Sequence, residues 1–260
     1  MRALAALVVP AILFAGWLWL YEVKSKSTTV VANPSQVWAT LVKERVELWE
    51  NTKLSLVRLL AGVFFGTALG TFSGLALARV RYLRVLFSPT LQVLSAIPFM
   101  LFVPFFLMAF GIGDLFRIAV ITVSTFLIVH SFAFQAVRSL NPDYFELARI
   151  YEKSRLQVAC EILLPASLPS IAVAVRFSLM FGWLAVIVAE SATADLPHGG
   201  LGYYIIRAKS SLGNYPMMFA GTFVLAVCAF LLDRMVAWVQ RRVSIWADSE
   251  EAAETMARES

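Results

Sequence analysis

Charged side chains are scarce in this sequence. Only 15% of its 260 residues are Asp, Glu, Lys or Arg, whereas 60% are hydrophobic. A water-soluble domain carries charge on about a quarter of its residues. The sequence therefore indicates an integral membrane protein that uses the lipid bilayer as its solvent.

Cysteine and histidine are equally rare. The two cysteines, Cys160 and Cys228, and the two histidines, His130 and His198, are too few and too widely spaced for a disulfide framework, a zinc site or a nucleophile–histidine pair. No Gly-Lys-Ser/Thr sequence occurs, and a P-loop needs one. We therefore predict no catalytic and no metal-binding residues, and any ATP that drives the protein must bind to another chain.

Lysine and arginine outnumber aspartate and glutamate by 22 to 17. Such a balance can indicate nucleic-acid binding, but here the arginines flank apolar segments, which the positive-inside rule explains better. The flanking cations on one predicted side are Arg79, Arg81, Arg84, Arg138, Arg149, Lys153, Arg155, Arg241 and Arg242. We predict that these loops and both termini are cytoplasmic, and that no nucleic acid is bound.

Six apolar segments predict an all-α membrane protein with about six transmembrane helices. They cover residues 3–21, 54–78, 87–110, 115–134, 170–189 and 216–239. A signal peptide is the competing interpretation of the first segment, but residues 21–24 offer no small residues for cleavage, which favours an uncleaved span. The tail, residues 247–260, is polar and acidic, and we expect it to be loosely ordered.

An amphipathic helix is predicted between the first two segments. Asn33 followed by Pro34 is typical of a helix start. Trp38, Leu41, Val42, Val46 and Trp49 then recur at helical spacing, opposite Lys43, Glu44, Glu47 and Glu50. The apolar side fits equally well against the membrane surface or against the body of the protein.

The second apolar segment carries a glycine at every fourth position: Gly62, Gly66, Gly70 and Gly74. Four residues of helix bring these glycines onto one stripe, where another backbone can approach closely. We predict a tightly packed helix interface along this stripe.

Prolines interrupt the third segment, and small polar residues follow in the fourth. An interior proline breaks the helical hydrogen bonds, which membranes tolerate beside protein or a water-filled cavity. The break at Pro98 is thus either a structural kink or part of a pathway, and Glu190 is either an interfacial charge or part of a site. The candidate pathway residues are Ser95, Pro98, Phe99, Thr122, Thr125 and Glu190.

A polar insertion, residues 141–169, separates the fourth and fifth segments. Asn141 and Pro142 predict a first short helix, and Ser154 with Gln157 predicts a capping box at a second one. Such an element can dock in a groove of a soluble partner, although a solvated loop is the plainer interpretation.

This insertion resembles the cytoplasmic "EAA" loop of permease subunits of type I ABC importers. Glu146, Leu147 and Ala148 match its beginning, and Ile162, Leu164 and Pro165 match its end. The residue at the family's glycine position is Glu152. The chain departs from the pattern there, at the bend between the two short helices.

The resemblance extends over residues 51–246 and is greatest to permeases of the nitrate/sulfonate/taurine/bicarbonate group. It rests on Ser55, Leu56, Arg58, the Ala96–Ile97–Pro98 sequence, Pro104, Phe110–Gly113, Ala189, Glu190, the Gly200–Leu201–Gly202–Tyr203 sequence and residues 240–242. It divides the chain into a first helix with an external amphipathic helix (1–50), a five-helix permease core with a coupling loop at 139–167 (51–246) and a cytoplasmic tail (247–260).

The resemblance also implies partners and a mechanism. Two permease copies would form a homodimer in the bacterial inner membrane, with two ATPase subunits on the cytoplasmic loops and an extracytoplasmic substrate-binding protein outside. ATP and Mg²⁺ would be bound by the ATPase, and no cofactor by this chain. The implied ATPase-coupling residues are Tyr144, Glu146, Leu147, Ala148, Arg149, Tyr151, Glu152 and Ser154. The imported solute, delivered by the binding protein, would be a small anion similar to a sulfonate or nitrate.

Two other classes of protein compete with this interpretation. An ATP-independent secondary transporter or channel would place acid–base relays within the spans, where this sequence has few charges. A membrane scaffold would need neither the interior prolines nor the hydroxyl residues.

Overall fold

The structure is a computed structural model that describes residues 15–23, 32–193, 199–210 and 214–259, together with Val8 and Ile12. Every regular element in this part of the chain is helical, as the apolar segments predict. The chain divides into two compact units. The first comprises Met1–Ser55 and Glu190–Val227, and the second comprises Leu56–Ala189 and Cys228–Ser260.

We number the helices from the first one with defined bounds. They are α1 (Pro34–Lys43), α2 (Arg45–Arg79), α3 (Arg81–Ala96), α4 (Val103–Phe110), α5 (Asp114–Arg138), α6 (Asp143–Ile150), α7 (Arg155–Val158), α8 (Leu164–Ser191), α9 (Leu201–Ser210) and α10 (Tyr215–Glu259). A 3₁₀ turn, Phe99–Phe102, precedes α4, and a π turn, Ala159–Leu163, joins α7 to α8.

The first unit contains the predicted amphipathic segment. Helix α1 starts as expected, because the Asn33 side chain accepts a hydrogen bond from the Ser35 amide at 3.0 Å. The segment is not one helix, however: α1 ends at Lys43, and the following residues belong to α2, which begins at Arg45 rather than near residue 54.

The two faces of this segment have different surroundings. Val37 and Leu48 are buried within the first unit, and Leu41 packs against both of its hydrophobic clusters. The side chains of Trp38, Val42, Val46 and Trp49 are all exposed. Packing on the body therefore uses a different edge of the helix, and contact of the exposed edge with the membrane surface stays a prediction.

The second unit holds most of the candidate spans. Four helices in the described ranges are long and apolar enough to cross a membrane: Arg45–Arg79, Asp114–Arg138, Arg155–Ser191 and Tyr215–Arg242. The predicted third span is instead broken at Ile97–Pro98, where the axes of Arg81–Ala96 and Phe99–Phe110 differ by 101°. Most of the predicted first span lies outside the described residues, although residues 15–23 are helical.

The C-terminal tail differs from expectation. Helix α10 continues without interruption to Glu259, whereas we expected loose order from residue 247 onward. Its sequence there is rich in Ala and Glu, which have high helix propensity. A polar surface does not prevent a helix from extending when most of its residues have high helix propensity.

Candidate functional site

The polar insertion forms two short helices with a sharp bend between them. Before α6, the Asn141 side chain accepts a hydrogen bond from the Asp143 amide at 3.1 Å. At the bend, Ser154 and Gln157 form the predicted capping box, with the Gln157 side chain accepting from the Ser154 amide at 2.8 Å. Both predicted helix starts are therefore present, although α6 itself begins one residue later than the sequence indicated.

Glu152 takes the backbone conformation that a glycine would take at the end of α6. Its φ angle is +51°, and it is the one non-glycine residue with positive φ in the described ranges. The Lys153 amide donates to the Ala148 carbonyl at 2.9 Å, and the Glu152 amide donates to the Arg149 carbonyl at 3.0 Å. These two hydrogen bonds define a Schellman motif with Glu152 at C′, so the family's bend forms without its glycine.

Ala148, one of the implied ATPase-coupling residues, does not lie on an outer contact face. It is buried in a cluster with Ala78, Val137, Val158 and Leu163. The prediction assigned the small residue to the partner, but its size instead lets α6 sit close to the ends of α2 and α5. This cluster anchors the insertion to the ends of α2 and α5 within the second unit.

One exposed side of α6 is apolar. Leu147, Ile150 and Tyr151 expose 50%, 74% and 73% of their surface, and Tyr144 is also exposed. We call Leu147, Ile150 and Tyr151 the coupling face. Glu146, Arg149, Glu152 and Ser154 are exposed as well, but outside this face. Large apolar side chains exposed together on one short helix are typical of a surface that another protein covers.

Pro165 does not end the insertion, as its position in the motif suggested. The π turn Ala159–Leu163 precedes it, and the helix then runs on to Ser191 with Pro169 in its interior. A proline cannot donate the usual hydrogen bond, and a π turn adjusts the backbone just before that position. The second short helix is therefore continuous with the fifth span.

The glycine stripe packs as predicted, and its partner is α5. A Cβ added to Gly66 would lie 2.5 Å from Thr125 Cβ, and one added to Gly70 would lie 2.8 Å from Val129 Cβ. Gly62 and Gly74 approach Ile121 and Ala133 in the same way. The absence of four side chains thus sets the separation of α2 and α5.

Thr125, a candidate pathway residue, belongs to this helix interface and is fully buried. Thr122 beside it is partly buried. At the break in the third segment, Ser95 and Pro98 are exposed and Phe99 is partly exposed. In the described part of the chain, the candidate pathway residues that remain accessible are therefore Ser95, Pro98, Phe99 and Thr122. Thr125 is no longer a candidate, because it lies inside the helix interface.

Glu190 is also unsuited to a solvent-lined pathway, because its side chain is fully buried within the first unit. Both carboxylate oxygens accept a hydrogen bond from the Ser55 hydroxyl at 2.9 Å, and one accepts from the Gly202 amide at 2.8 Å. The Leu201 amide in turn donates to Ser55 Oγ at 2.8 Å. The carboxylate therefore caps the start of α9, where a helix dipole favours negative charge.

This cluster explains motifs that the sequence showed only as separate matches. Ser55, Glu190 and the Gly200–Gly202 sequence meet there, and Asn51 Oδ1 accepts from the Gly200 amide at 2.6 Å. Farther along α9, buried Tyr204 donates a hydrogen bond to Glu44. Burial and that hydrogen bond raise the pKa of Tyr204 above its usual range.

Sequence reasoning missed two ion pairs in the second unit. Arg176 donates two hydrogen bonds to Asp233, from Nε at 2.7 Å and from Nη2 at 3.1 Å, beside a cavity of about 490 Å³ between α8 and α10. Arg58 pairs with Asp114 at 2.7 Å. Pairs 56 and 57 residues apart leave no local signal in a sequence.

Comparison with known proteins gives consistent findings. Residues 66–245 match the family described as "Binding-protein-dependent transport system inner membrane component". The chain is 29% identical to a Bacillus subtilis protein named as an aliphatic sulfonates transport permease, SsuC, over 94% of this chain and 88% of that protein. It is also 29% identical to the taurine transport system permease TauC of Escherichia coli K12, over 76% of this chain and 71% of that protein.

A solved structure has the same fold. It is a chain from the crystal structure of a bacterial alginate ABC transporter in complex with an alginate pentasaccharide-bound periplasmic protein. The TM-score is 0.64 at 17% identity, with 94% of this chain and 96% of that chain covered.

Proposed function

We propose that α6 couples this chain to ATP hydrolysis by a partner ATPase, and that the chain conducts a small anion. The chain belongs to the family of inner membrane components of binding-protein-dependent transport systems. Family membership makes it a permease subunit of an ABC importer, a class whose permeases are not catalytic. A separate ATPase subunit hydrolyses the ATP. The proposal concerns three further points: the contacts of α6 with the ATPase, the orientation of the chain in the membrane, and the solute that is transported.

The coupling face carries the proposal. Its three large apolar side chains stand on a helix whose start is capped, whose end is closed by Glu152 and whose opposite side is anchored through Ala148. A helix held this rigidly transmits displacement, because docking does not have to order it first. A cleft on the ATPase that closes with ATP would therefore move α6 and, with it, the ends of α2 and α5.

Proposed assembly follows the family. Two copies of the permease form a homodimer, two ATPase subunits bind at the cytoplasmic face, and an extracytoplasmic binding protein delivers the solute. Both termini are cytoplasmic. The break at Pro98, with Ser95 and Phe99 beside it, borders the pathway, because polar groups and a broken helix at membrane depth need water or protein around them. A water-soluble thiol reagent should modify Ser95→Cys in a nucleotide-dependent manner.

The proposed substrate is a small sulfonate. Two relatives are named for aliphatic sulfonates and for taurine, which share the sulfonate group. Uptake of radiolabelled taurine and of an alkanesulfonate, with and without the chain, tests this point. If cells with and without the chain took up each compound equally, neither compound would be its substrate.

One pair of variants tests the coupling face. Ile150→Glu places a charge on it, and burying an unpaired charge in a docked interface costs several kcal/mol. Co-purification in mild detergent, read as ATPase activity recovered with the tagged chain, should fall by more than tenfold. Ile112→Glu is the matched control, because Ile112 is exposed on the turn between α4 and α5. Full recovery of ATPase with Ile150→Glu contradicts the proposal.

A further inference from the structure

A second surface of the insertion lies on the other side of α6 from the coupling face. There, a cavity of about 630 Å³ opens between α6, the end of α2 and the start of α3. Its lining includes the cations Arg79, Arg81, Arg149, Lys153 and Arg155. We call it the basic cavity.

The basic cavity carries an excess of positive charge. All five cationic residues are exposed, and no carboxylate is among the described residues that line it. Lys153 forms an ion pair with Glu161, and the Arg79 guanidinium lies 4.8 Å from the centre of the Phe145 ring. Pairing with a single carboxylate leaves most of this charge uncompensated, which favours an anionic ligand.

One wall of the cavity is apolar and continues along a membrane-spanning helix. Phe72 exposes 75% of its surface, and Leu69 and Phe65 are exposed on the preceding turns of α2. Tyr82, on α3, exposes 87% of its surface and also lines the cavity. Amphipathic aromatic side chains such as tyrosine are enriched at the membrane–water interface, at the level of the lipid headgroups. The ligand that fits is therefore anionic at one end and apolar at the other.

We propose that the basic cavity binds the phosphate headgroup of an anionic phospholipid, whose acyl chains lie along Leu69 and Phe72. The inference rests on the proposed function in one respect, that the insertion faces the cytoplasmic leaflet. Basic cavities between helix ends on that side attract anionic headgroups. A bound lipid would brace α6 through Arg149 and Lys153 and so hold the coupling face at a fixed depth.

A soluble partner explains the basic cavity less well. The residues of α6 that line it, Phe145, Ala148 and Arg149, occupy a different side of the helix from the coupling face. An ATPase contact would also leave the apolar wall at Phe72 without a matching surface, since that wall lies on a candidate membrane span.

Lipid titration of the purified full-length chain tests the proposal. The probe is phosphatidylglycerol, compared with phosphatidylcholine, and bound lipid is counted by native mass spectrometry. Wild type should prefer phosphatidylglycerol by about tenfold or more. The double variant Arg81→Gln, Arg155→Gln should lose at least tenfold in affinity for it. Arg241→Gln, Arg242→Gln is the matched control, because it removes two exposed cations from α10 and should bind as wild type does.

Three results would overturn the proposal. Unchanged phosphatidylglycerol binding in the Arg81, Arg155 variant would place the lipid elsewhere. Displacement of the lipid by an equal concentration of inorganic phosphate would make the basic cavity a site for free anions. If the Arg81, Arg155 variant lost ATPase recovery but still bound phosphatidylglycerol as wild type does, the cavity would be assigned to the ATPase. The proposed function fails separately, because Ile150→Glu reports on the ATPase and should leave lipid binding unchanged.

Discussion

Glu152 bends the insertion at a backbone angle that a side chain disfavours. A left-handed conformation costs a non-glycine residue roughly 1 kcal/mol. The two hydrogen bonds of the Schellman motif and the capping box at Ser154 hold it there. The sequence alone showed the missing glycine but not the outcome, because neighbouring caps determine whether the bend survives its loss.

Gly200 should not tolerate even the smallest side chain. Its φ angle is +114°, and an added Cβ would overlap the buried carboxyl group of Glu190. We expect Gly200→Ala to destabilise the protein by about 2 kcal/mol or more, through overpacking and backbone strain together. The measurement is the midpoint of thermal unfolding in detergent.

Gly113→Ala is the control for this substitution. A Cβ there would meet nothing within 4 Å, and its φ of 170° is extended backbone. It should unfold at the wild-type temperature. Equal midpoints for Gly200→Ala and wild type would show that the contact with Glu190 is not tight.

Helices α2 and α5 depend on the glycine stripe for their separation. Gly66→Leu would force a side chain into Thr125 and push the helices apart, so we expect a low yield of folded protein and a destabilisation of about 3 kcal/mol or more. Ala68→Leu adds a larger side chain to an exposed position of the same helix and should be tolerated. Size-exclusion profiles and thermal midpoints of both variants check this, and a stable Gly66→Leu protein would show that α5 can move away.

Local patterns predicted some elements, and distant contacts determined the others. The caps at Asn33 and Ser154, the glycine stripe and the break at Pro98 follow from neighbouring residues, so the sequence reveals them. Burial of Ala148 requires Ala78 and Val137, and burial of Glu190 requires Ser55, 135 residues away. Hydrophobic periodicity shows that a short helix has two faces, but not which face the rest of the chain covers.

Orientation in the membrane connects the proposals for the whole molecule. Both the coupling face and the basic cavity require the insertion to be cytoplasmic, as the arginines at the helix ends predict. The chain carries a natural reporter, because Cys160 is exposed in the π turn of the insertion while Cys228 is only partly exposed on α10.

A membrane-impermeant maleimide should therefore modify Cys160 in inverted membrane vesicles and not in right-side-out vesicles, with Cys228→Ala removing the second thiol. Ile112→Cys, in a chain that also carries Cys160→Ala and Cys228→Ala, provides the opposite control and should react only in right-side-out vesicles. Reaction of Cys160 in right-side-out vesicles would place the insertion outside the cell. Neither a cytoplasmic ATPase on α6 nor an inner-leaflet lipid in the basic cavity would then be possible.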